Sequence, residues 1–363
     1  MMNAVRDDGP GRYALTNTEE GHVWGVCADV HGLFEQPPRG TYELFDWVPA
    51  GPEPRDWVGS RVWIVPEDSS ADAWLLEDVV CLGRSPRGDG LVLTGLDEYY
   101  GPPEGHRAPA RLHDEYRWLG SCREFARVLP AEAAPRSLVL RGLAPGDGLR
   151  RALANGTRRA LDLGEAWLEI RDDRGELLTD RLLRPVVRSW GPSSRGTDLV
   201  DLELGGQLFQ PVPEYARPVW GRWFAGPPDG LNAWAGLGSR ERGVWLDLVR
   251  ERGCRRRYET GPAGHTYEMD GRYVTDEPGL FLALGEAVNG PGGYFGGCLE
   301  ALWDCLRGGF GCTAPATLVW RGADTAQERL SRRLSAEGEP WDLVAGVLDV
   351  LAAGGVRVTT VER

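Results

Sequence analysis

The feature that most constrains the fold is the alternation of strand and helix patterns over residues 264–363. Residues 266–269 and 317–320 are typical of strands, and β-branched side chains alternate along residues 356–361. Helical patterns lie between these strands and end at glycine-rich stops such as residues 289–293. Because strands joined by helical crossovers form parallel sheets, we predict an α/β C-terminal domain with a three-stranded parallel sheet.

Four helices are predicted in this region. Thr275 or Asp276 is expected to cap the first helix, which continues to about Ala287. The remaining three are expected at about residues 297–307, 324–334 and 340–353.

The second predicted helix contains the most distinctive stretch of the chain, YFGGCLEALWDCL at residues 294–306. Glu300 and Asp304 are four residues apart, so they share one face of a helix. Like charges at this spacing repel each other, and a cationic partner would relieve that repulsion. Four apolar residues are expected to form the opposite, buried stripe: Leu299, Leu302, Trp303 and Leu306.

This stretch strongly resembles the core motif of the barstar family, which has an aromatic pair, glycine, a variable pair and then Leu-acidic-Ala-Leu-Trp-Asp-Cys-Leu. The resemblance covers about the last hundred residues, and the flanking strands and helices agree with it in order and spacing. Members of this family are intracellular inhibitors of small, basic microbial ribonucleases similar to barnase. Their motif helix and the loop before it enter the active-site cleft of the enzyme. The resemblance therefore implies a barstar-like fold and stoichiometric inhibition without catalysis.

The resemblance also implies which residues contact the nuclease. Asp304 takes the central position, facing cations that normally hold the RNA phosphate, because a carboxylate accepts hydrogen bonds from arginine much as phosphate does. Trp303 and Cys305 match structural positions, and Gly308 stands where the contact loop begins. Tyr294 is expected to be exposed at the rim, with a core position as the alternative. The predicted ribonuclease-binding residues are Tyr294, Gly296, Glu300, Trp303, Asp304, Gly308 and Phe310.

Several positions depart from the family pattern. Glu300 stands where aspartate is familiar, and Gly297 with Cys298 replaces a polar pair. Gly309 occupies a place where an aromatic contact is often found, although Phe310 could substitute for it. Val350 stands where the late helix of the family carries an acid, with Asp349 adjacent. These departures indicate a cognate nuclease that differs from barnase.

The chain before this region is predicted to be β-rich, with an α+β character and no assigned function. We expect a β-rich domain at residues 1–130, a β-rich α+β domain at residues 137–215, a tryptophan-rich connector at residues 216–263 and the barstar-like domain at residues 264–363. The second domain resembles part of the first in its strand and turn patterns, which favours duplication. Turn chemistry shared by chance is the alternative.

Three pairs of short sequences carry the similarity between these domains: residues 44–51 (LFDWVPAG) with 140–146 (LRGLAPG), residues 62–68 with 167–173, and residues 75–78 with 177–180. In the connector, Ser239 is expected to cap a helix that continues to about Arg252. The four connector tryptophans are expected to be packing residues rather than a ligand site: Trp220, Trp223, Trp234 and Trp245.

The net charge of −13 argues against a general nucleic-acid-binding protein, which needs a basic footprint. It suits a basic protein partner, and the last hundred residues contain 14 acidic residues against 8 arginines. We therefore predict a basic microbial ribonuclease or nuclease toxin as the partner, with no direct contact to nucleic acid or membrane. No apolar stretch is long enough to span a bilayer, and the N-terminus lacks an apolar signal core, so a cytoplasmic location is expected.

Other chemistry receives little support from the sequence. Seven cysteines without a CxxC pair are typical of reduced thiols, and no cofactor is predicted. His106 and His113, with Asp114 and Glu115, leave a metal site or an enzyme in the N-terminal half as an alternative. A second alternative is an interaction or regulatory protein that keeps the barstar-like fold with another partner.

Overall fold

A computed structural model describes residues 11–18, 21–36, 39–51, 60–68, 71–85, 88–97, 107–129, 137–154, 161–206 and 208–361. The described residues form two compact units. Unit 1 comprises those within residues 1–36, 134–325 and 349–363, and unit 2 comprises those within residues 37–133 and 326–348. Strands and helices are numbered in chain order below.

The β-rich part of unit 1 is a twisted antiparallel sheet with the strand order β13-β16-β17-β12-β2-β1-β14-β15, and β3 also pairs with β12. A short helix, α1 (Asp147–Ala154), follows β12. A parallel pair, β4 (Phe34–Glu35) and β18 (Val212–Pro213), lies outside this sheet. The sheet strands are β1 (Tyr13–Asn17), β2 (Val23–Cys27), β3 (Asp29–His31), β12 (Leu138–Pro145), β13 (Leu161–Asp162), β14 (Ala166–Arg171), β15 (Leu177–Leu183), β16 (Val186–Pro192) and β17 (Val200–Gly205).

The first strands of the chain pair with strands far along the sequence. β1 and β2 form an antiparallel hairpin, with Thr16 opposite Val23. β1 also pairs with β14, where Thr16 lies opposite Trp167, and β2 pairs with β12. A boundary placed at residue 130 therefore does not follow the pairing of the strands, because β1 and β2 belong to the same sheet as residues 138–205.

Unit 2 contains an antiparallel sheet with the strand order β10-β7-β8-β9-β5-β11-β6. β10 pairs with both β7 and β11, so six of these strands close into a ring. Its core includes Tyr42 stacked on Phe125 with ring centroids 4.9 Å apart. The strands are β5 (Arg39–Phe45), β6 (Val48–Pro49), β7 (Ser60–Pro66), β8 (Trp74–Arg84), β9 (Leu91–Asp97), β10 (Ala108–His113) and β11 (Trp118–Leu129).

A short hairpin replaces parts of two predicted helices. Helix α6 (Ala323–Leu330) ends earlier than predicted, and helix α7 (Leu343–Ala353) begins later. Between them, β21 (Arg333–Leu334) pairs with β22 (Pro340–Trp341). Arg332, within a predicted helix, has a φ of 62°, which ends the helix there. Gly338, in the turn between β21 and β22, has a φ of 83°.

The C-terminal region has the predicted three-stranded parallel sheet, formed by β19 (Thr266–Asp270), β20 (Ala316–Arg321) and β23 (Val356–Val361). β20 is the central strand. Helix α4 (Glu277–Asn289) begins at Asp276, whose side chain accepts a 2.9 Å hydrogen bond from the Gly279 amide. This cap is one of the two predicted from the sequence.

The connector forms two helices, α2 (Arg217–Phe224) and α3 (Ser239–Arg255). Gly238 rather than Ser239 is the N-cap of α3, and no side chain caps this helix. All four connector tryptophans are at most 2% exposed. Trp223 and Trp245 pack edge to face with ring centroids 5.3 Å apart, so the connector tryptophans are buried packing residues.

Candidate functional site

Helix α5 (Leu299–Leu306) carries the two predicted acidic contacts. It begins at Cys298, whose sulfur accepts a hydrogen bond from the Ala301 amide at 3.4 Å. Leu302 and Cys305 are its buried residues. Burial raises the pKa of the Cys305 thiol to about 12, so this cysteine is protonated at neutral pH.

The face of α5 opposite Leu302 is exposed and bears Glu300, Trp303 and Asp304. Trp303 is 41% exposed, so its predicted place in the buried stripe is wrong. Leu302 and Cys305 occupy the inward side of the helix, and this rotation turns the indole outward. Leu299 and Leu306 are half-buried.

The two carboxylates differ in their local contacts. Hydrogen bonds from the Glu300 amide and the Cys298 thiol lower the pKa of Glu300, which is therefore ionised at neutral pH. Asp304 is exposed, and within the described ranges its carboxylate has no hydrogen bond or ion pair. Both groups are therefore accessible to a cationic partner.

Tyr294 is buried, with only 4% of its surface exposed, so the prediction that it lies exposed at the rim is wrong. Helix α3 packs directly on it: a Cβ added at Gly253 would lie 2.5 Å from the Tyr294 Cβ. The ring of Tyr294 meets the ring of Phe310 edge to face, with centroids 5.9 Å apart. Desolvation raises the pKa of Tyr294, which excludes ionisation at neutral pH.

Gly296 lies in the tight loop between Tyr294 and α5. It has a φ of 97°, and a Cβ there would lie 2.9 Å from the Leu302 Cα. Only glycine adopts this conformation without strain. Gly296 is buried and so sets the path of the loop into the helix.

The segment after α5 contains the remaining predicted contacts. Gly308 and Gly309 are exposed, with φ values of 123° and 86°, and Phe310 is half-buried. An aromatic residue at position 309 would be strained, which gives a backbone reason for glycine at this departure from the family pattern. On α7, Asp349 is exposed, whereas Val350 is half-buried.

Asn289 is a positioning residue that the sequence reasoning missed. Its side-chain amide donates to the Tyr294 carbonyl at 2.7 Å and to the Phe310 carbonyl at 3.0 Å. It thereby ties the loop before α5 to the loop after it. Asn289 was recognised only as part of a helix stop, because the two loops that it joins are separated in sequence.

The residues of the enzyme alternative do not assemble into a site in the part of the chain that is described. His106 lies outside the described residues, and His113 is fully buried. The described ranges contain no group of three or more His, Cys, Asp or Glu residues that could hold a metal ion. Among the same residues, no helix is long and apolar enough to cross a membrane.

The C-terminal region is thus a parallel α/β domain with an exposed helix that carries two acidic residues. Residues 264–347 match the family model described as Barstar (barnase inhibitor). The C-terminal region of the chain is therefore a barstar domain, and this family is one of inhibitors rather than enzymes. No curated protein and no solved structure matches the chain.

Proposed function

We propose that this protein is a stoichiometric inhibitor of a small, basic microbial ribonuclease similar to barnase. The observation that carries this proposal is the exposed acidic face of α5, with the Asp304 carboxylate uncompensated among the described residues, inside a region that matches the barstar family. The inhibitor binds the active site and excludes RNA, and it performs no chemistry itself.

The mechanism is electrostatic mimicry of the substrate. A ribonuclease holds the RNA phosphate with cationic side chains, and a carboxylate accepts the same charge-assisted hydrogen bonds. Asp304 takes the central place, and Glu300 lies one turn earlier on the same face. Trp303, between them, adds a large apolar surface of the kind that anchors protein interfaces.

The burial of each residue supports a different proposed role in binding the nuclease. Glu300, Trp303, Asp304 and Gly308 are exposed and contact the nuclease, with the half-buried Phe310 at the edge. Gly296 and Tyr294 are buried, so they act by holding the loop and helix in place. This protein would act in the cytoplasm as an immunity protein, protecting a cell from its own or a neighbour's nuclease toxin.

The test is a titration of the full chain into barnase and other guanyl-preferring ribonucleases, with cleavage of a fluorogenic RNA as the readout. We expect cleavage to stop at an equal molar ratio of inhibitor and at least one enzyme. Retained cleavage by every enzyme at a large excess of the chain would refute the proposal.

A second candidate function is that of an interaction or regulatory protein with a different partner. Two observations favour it: Tyr294 is covered by α3, and Val350 stands in place of an acid. This candidate predicts that the chain inhibits no ribonuclease, and that substitutions on α5 nevertheless abolish binding to its partner.

A further inference from the structure

The end of the connector packs against the loop that leads into α5. A Cβ at Gly253 would lie 2.5 Å from the Tyr294 Cβ and 2.8 Å from the Tyr258 hydroxyl oxygen. About two helical turns earlier, Leu246 Cδ2 lies 3.9 Å from the Cβ position of Gly297. Helix α3 therefore covers the loop from Tyr294 to Gly297, and glycine at position 253 permits this close approach.

Tyr258 extends this contact to the loop after α5. Its ring lies 6.0 Å from the ring of Phe310, which in turn packs on Tyr294. Tyr258 is half-buried, so part of its surface lies beside Phe310 at the edge of the proposed nuclease-binding surface. Contacts among these three aromatic rings therefore connect the end of the connector to the loops on both sides of α5.

The charge of the connector is opposite to that of α5. Arg255 is held by Asp180 at 2.7 Å, whereas Arg256 and Arg257 are exposed and directly precede Tyr258. Glu300 and Asp304 provide the negative side of the surface. A partner that covers both parts must therefore present cations opposite α5 and anions opposite the connector.

The small size of α5 supports a binding surface that is formed by α5 and the connector together. A stable protein interface buries about 800 Å² on each partner, from roughly 20–30 residues. Helix α5 has only eight residues, and the loop before it is buried. Tyr258 of the connector packs beside Phe310, so a full-sized interface that extends past Phe310 in this direction reaches the connector.

On the basis of the proposed inhibition, we infer that residues 254–258 of the connector form part of the nuclease-binding surface in place of the buried Tyr294. The fitting partner is a ribonuclease with a cationic cleft and an acidic patch at the rim of that cleft. The connector is therefore a part of the inhibitor and not only a spacer before it.

The first experiment uses two glycine substitutions in the same helix, in the full chain. Gly253→Ala places a methyl group against Tyr294, whereas a Cβ added at Gly243 has no neighbouring atom within 4 Å. With a guanyl-preferring ribonuclease that the wild-type chain inhibits as the probe, we expect Gly253→Ala to weaken binding at least tenfold and Gly243→Ala to leave it within twofold. Equal affinities for the two variants would overturn the inference.

The second experiment tests the charge of the partner. Arg256→Glu should weaken binding of the same probe about tenfold, and Arg357→Glu, at an exposed position on β23, should change it less than twofold. If Arg256→Glu binds with unchanged affinity, the inference that the ribonuclease has an acidic patch opposite the connector is refuted.

Failure of the proposed function gives a different result. If the wild-type chain inhibits no ribonuclease, inhibition and the shared surface are both refuted. Amide hydrogen exchange then still reports the packing: Gly253→Ala should accelerate exchange at residues 294–297 without any partner, and Gly243→Ala should not.

Discussion

The carboxylate of Glu115 forms an ion pair with the guanidinium of Arg333, which lies 218 residues further along the chain. Both side chains are only 10% exposed. The Leu334 amide donates to the Glu115 carbonyl at 2.6 Å, and the Trp63 indole donates to its carboxylate at 3.2 Å. Within unit 2, the hairpin of β21 and β22 is therefore bound to the turn between β10 and β11.

Glu115→Gln should strongly destabilise the protein. The substitution removes the anion that compensates the nearly buried Arg333, and uncompensated buried charges typically cost about 3–5 kcal/mol. The free energy of unfolding in urea measures the effect. Glu337→Gln is the matched control, because Glu337 lies exposed in the same hairpin and should change stability by less than about 0.5 kcal/mol. Similar values for the two variants would contradict the prediction.

His113 should make the stability of unit 2 depend on pH. Its Nδ1 accepts a hydrogen bond from the Glu115 amide at 3.2 Å, so the proton is on Nε2, which donates to the Ala336 carbonyl at 3.2 Å. Burial lowers the pKa of His113, although the nearby carboxylates of Asp114, Glu115 and Glu337 oppose this shift.

The sign of this effect follows from the lowered pKa. The neutral form is favoured by folding, so its stabilising contribution is complete above the unfolded pKa of about 6.5 and is lost as the pH falls towards the folded value. We expect urea midpoints of the wild type to decrease over this window relative to His113→Gln. A difference in urea midpoint between the wild type and His113→Gln that stays constant from pH 8 to pH 5 would contradict this prediction.

Asp304→Asn should abolish most of the affinity for an inhibited ribonuclease. The change leaves enzyme cations buried without an anion, and the expected loss is about 2–5 kcal/mol, a magnitude known for charge pairs in such interfaces rather than calculated from this structure. Titration calorimetry measures it. Asp324→Asn removes the same charge from an exposed position on α6 and should have little effect. Equal affinity of the two variants would remove Asp304 from the binding surface.

Substitutions of Trp303 and Leu302 should affect different properties: ribonuclease affinity for Trp303 and folding stability for Leu302. Trp303→Ala is expected to reduce ribonuclease affinity by at least roughly 2 kcal/mol. It should lower the free energy of unfolding less than Leu302→Ala does, because the indole is 41% exposed. Leu302→Ala removes a fully buried side chain and should lower the free energy of unfolding by about 2–5 kcal/mol. The assignment fails if Trp303→Ala is the more destabilising of the two.

Gly296 and Gly297 should differ sharply in their tolerance of alanine. Gly296→Ala places an alanine at a positive φ, and its methyl group also clashes with Leu302. We therefore expect the free energy of unfolding to fall by about 1–3 kcal/mol or more. At Gly297 the nearest atom, Leu246 Cδ2, is 3.9 Å from the added Cβ, and alanine should be tolerated. Thermal unfolding compares them. If Gly296→Ala unfolds at the same temperature as Gly297→Ala, the prediction that the loop backbone requires glycine at position 296 is wrong.

Much of the barstar domain could be predicted from local sequence. Asp276 caps α4 through the amide three residues later, and Glu300 and Asp304 share a face because they are four residues apart. The three strands of the parallel sheet were also recognisable, since each carries its own apolar pattern. These features depend on residues within one or two turns, so the sequence by itself determined them.

Tertiary structure decided which of these residues are accessible and which strands pair. Tyr294 is buried because Gly253, 41 positions earlier, lets a helix approach it, and Trp303 is exposed because its helix is rotated about Leu302 and Cys305. β1 pairs with β14 more than 140 residues away, and Arg333 finds Glu115 across 218 residues. Burial and long-range pairing depend on which distant segments pack together, and no local periodicity carries that information.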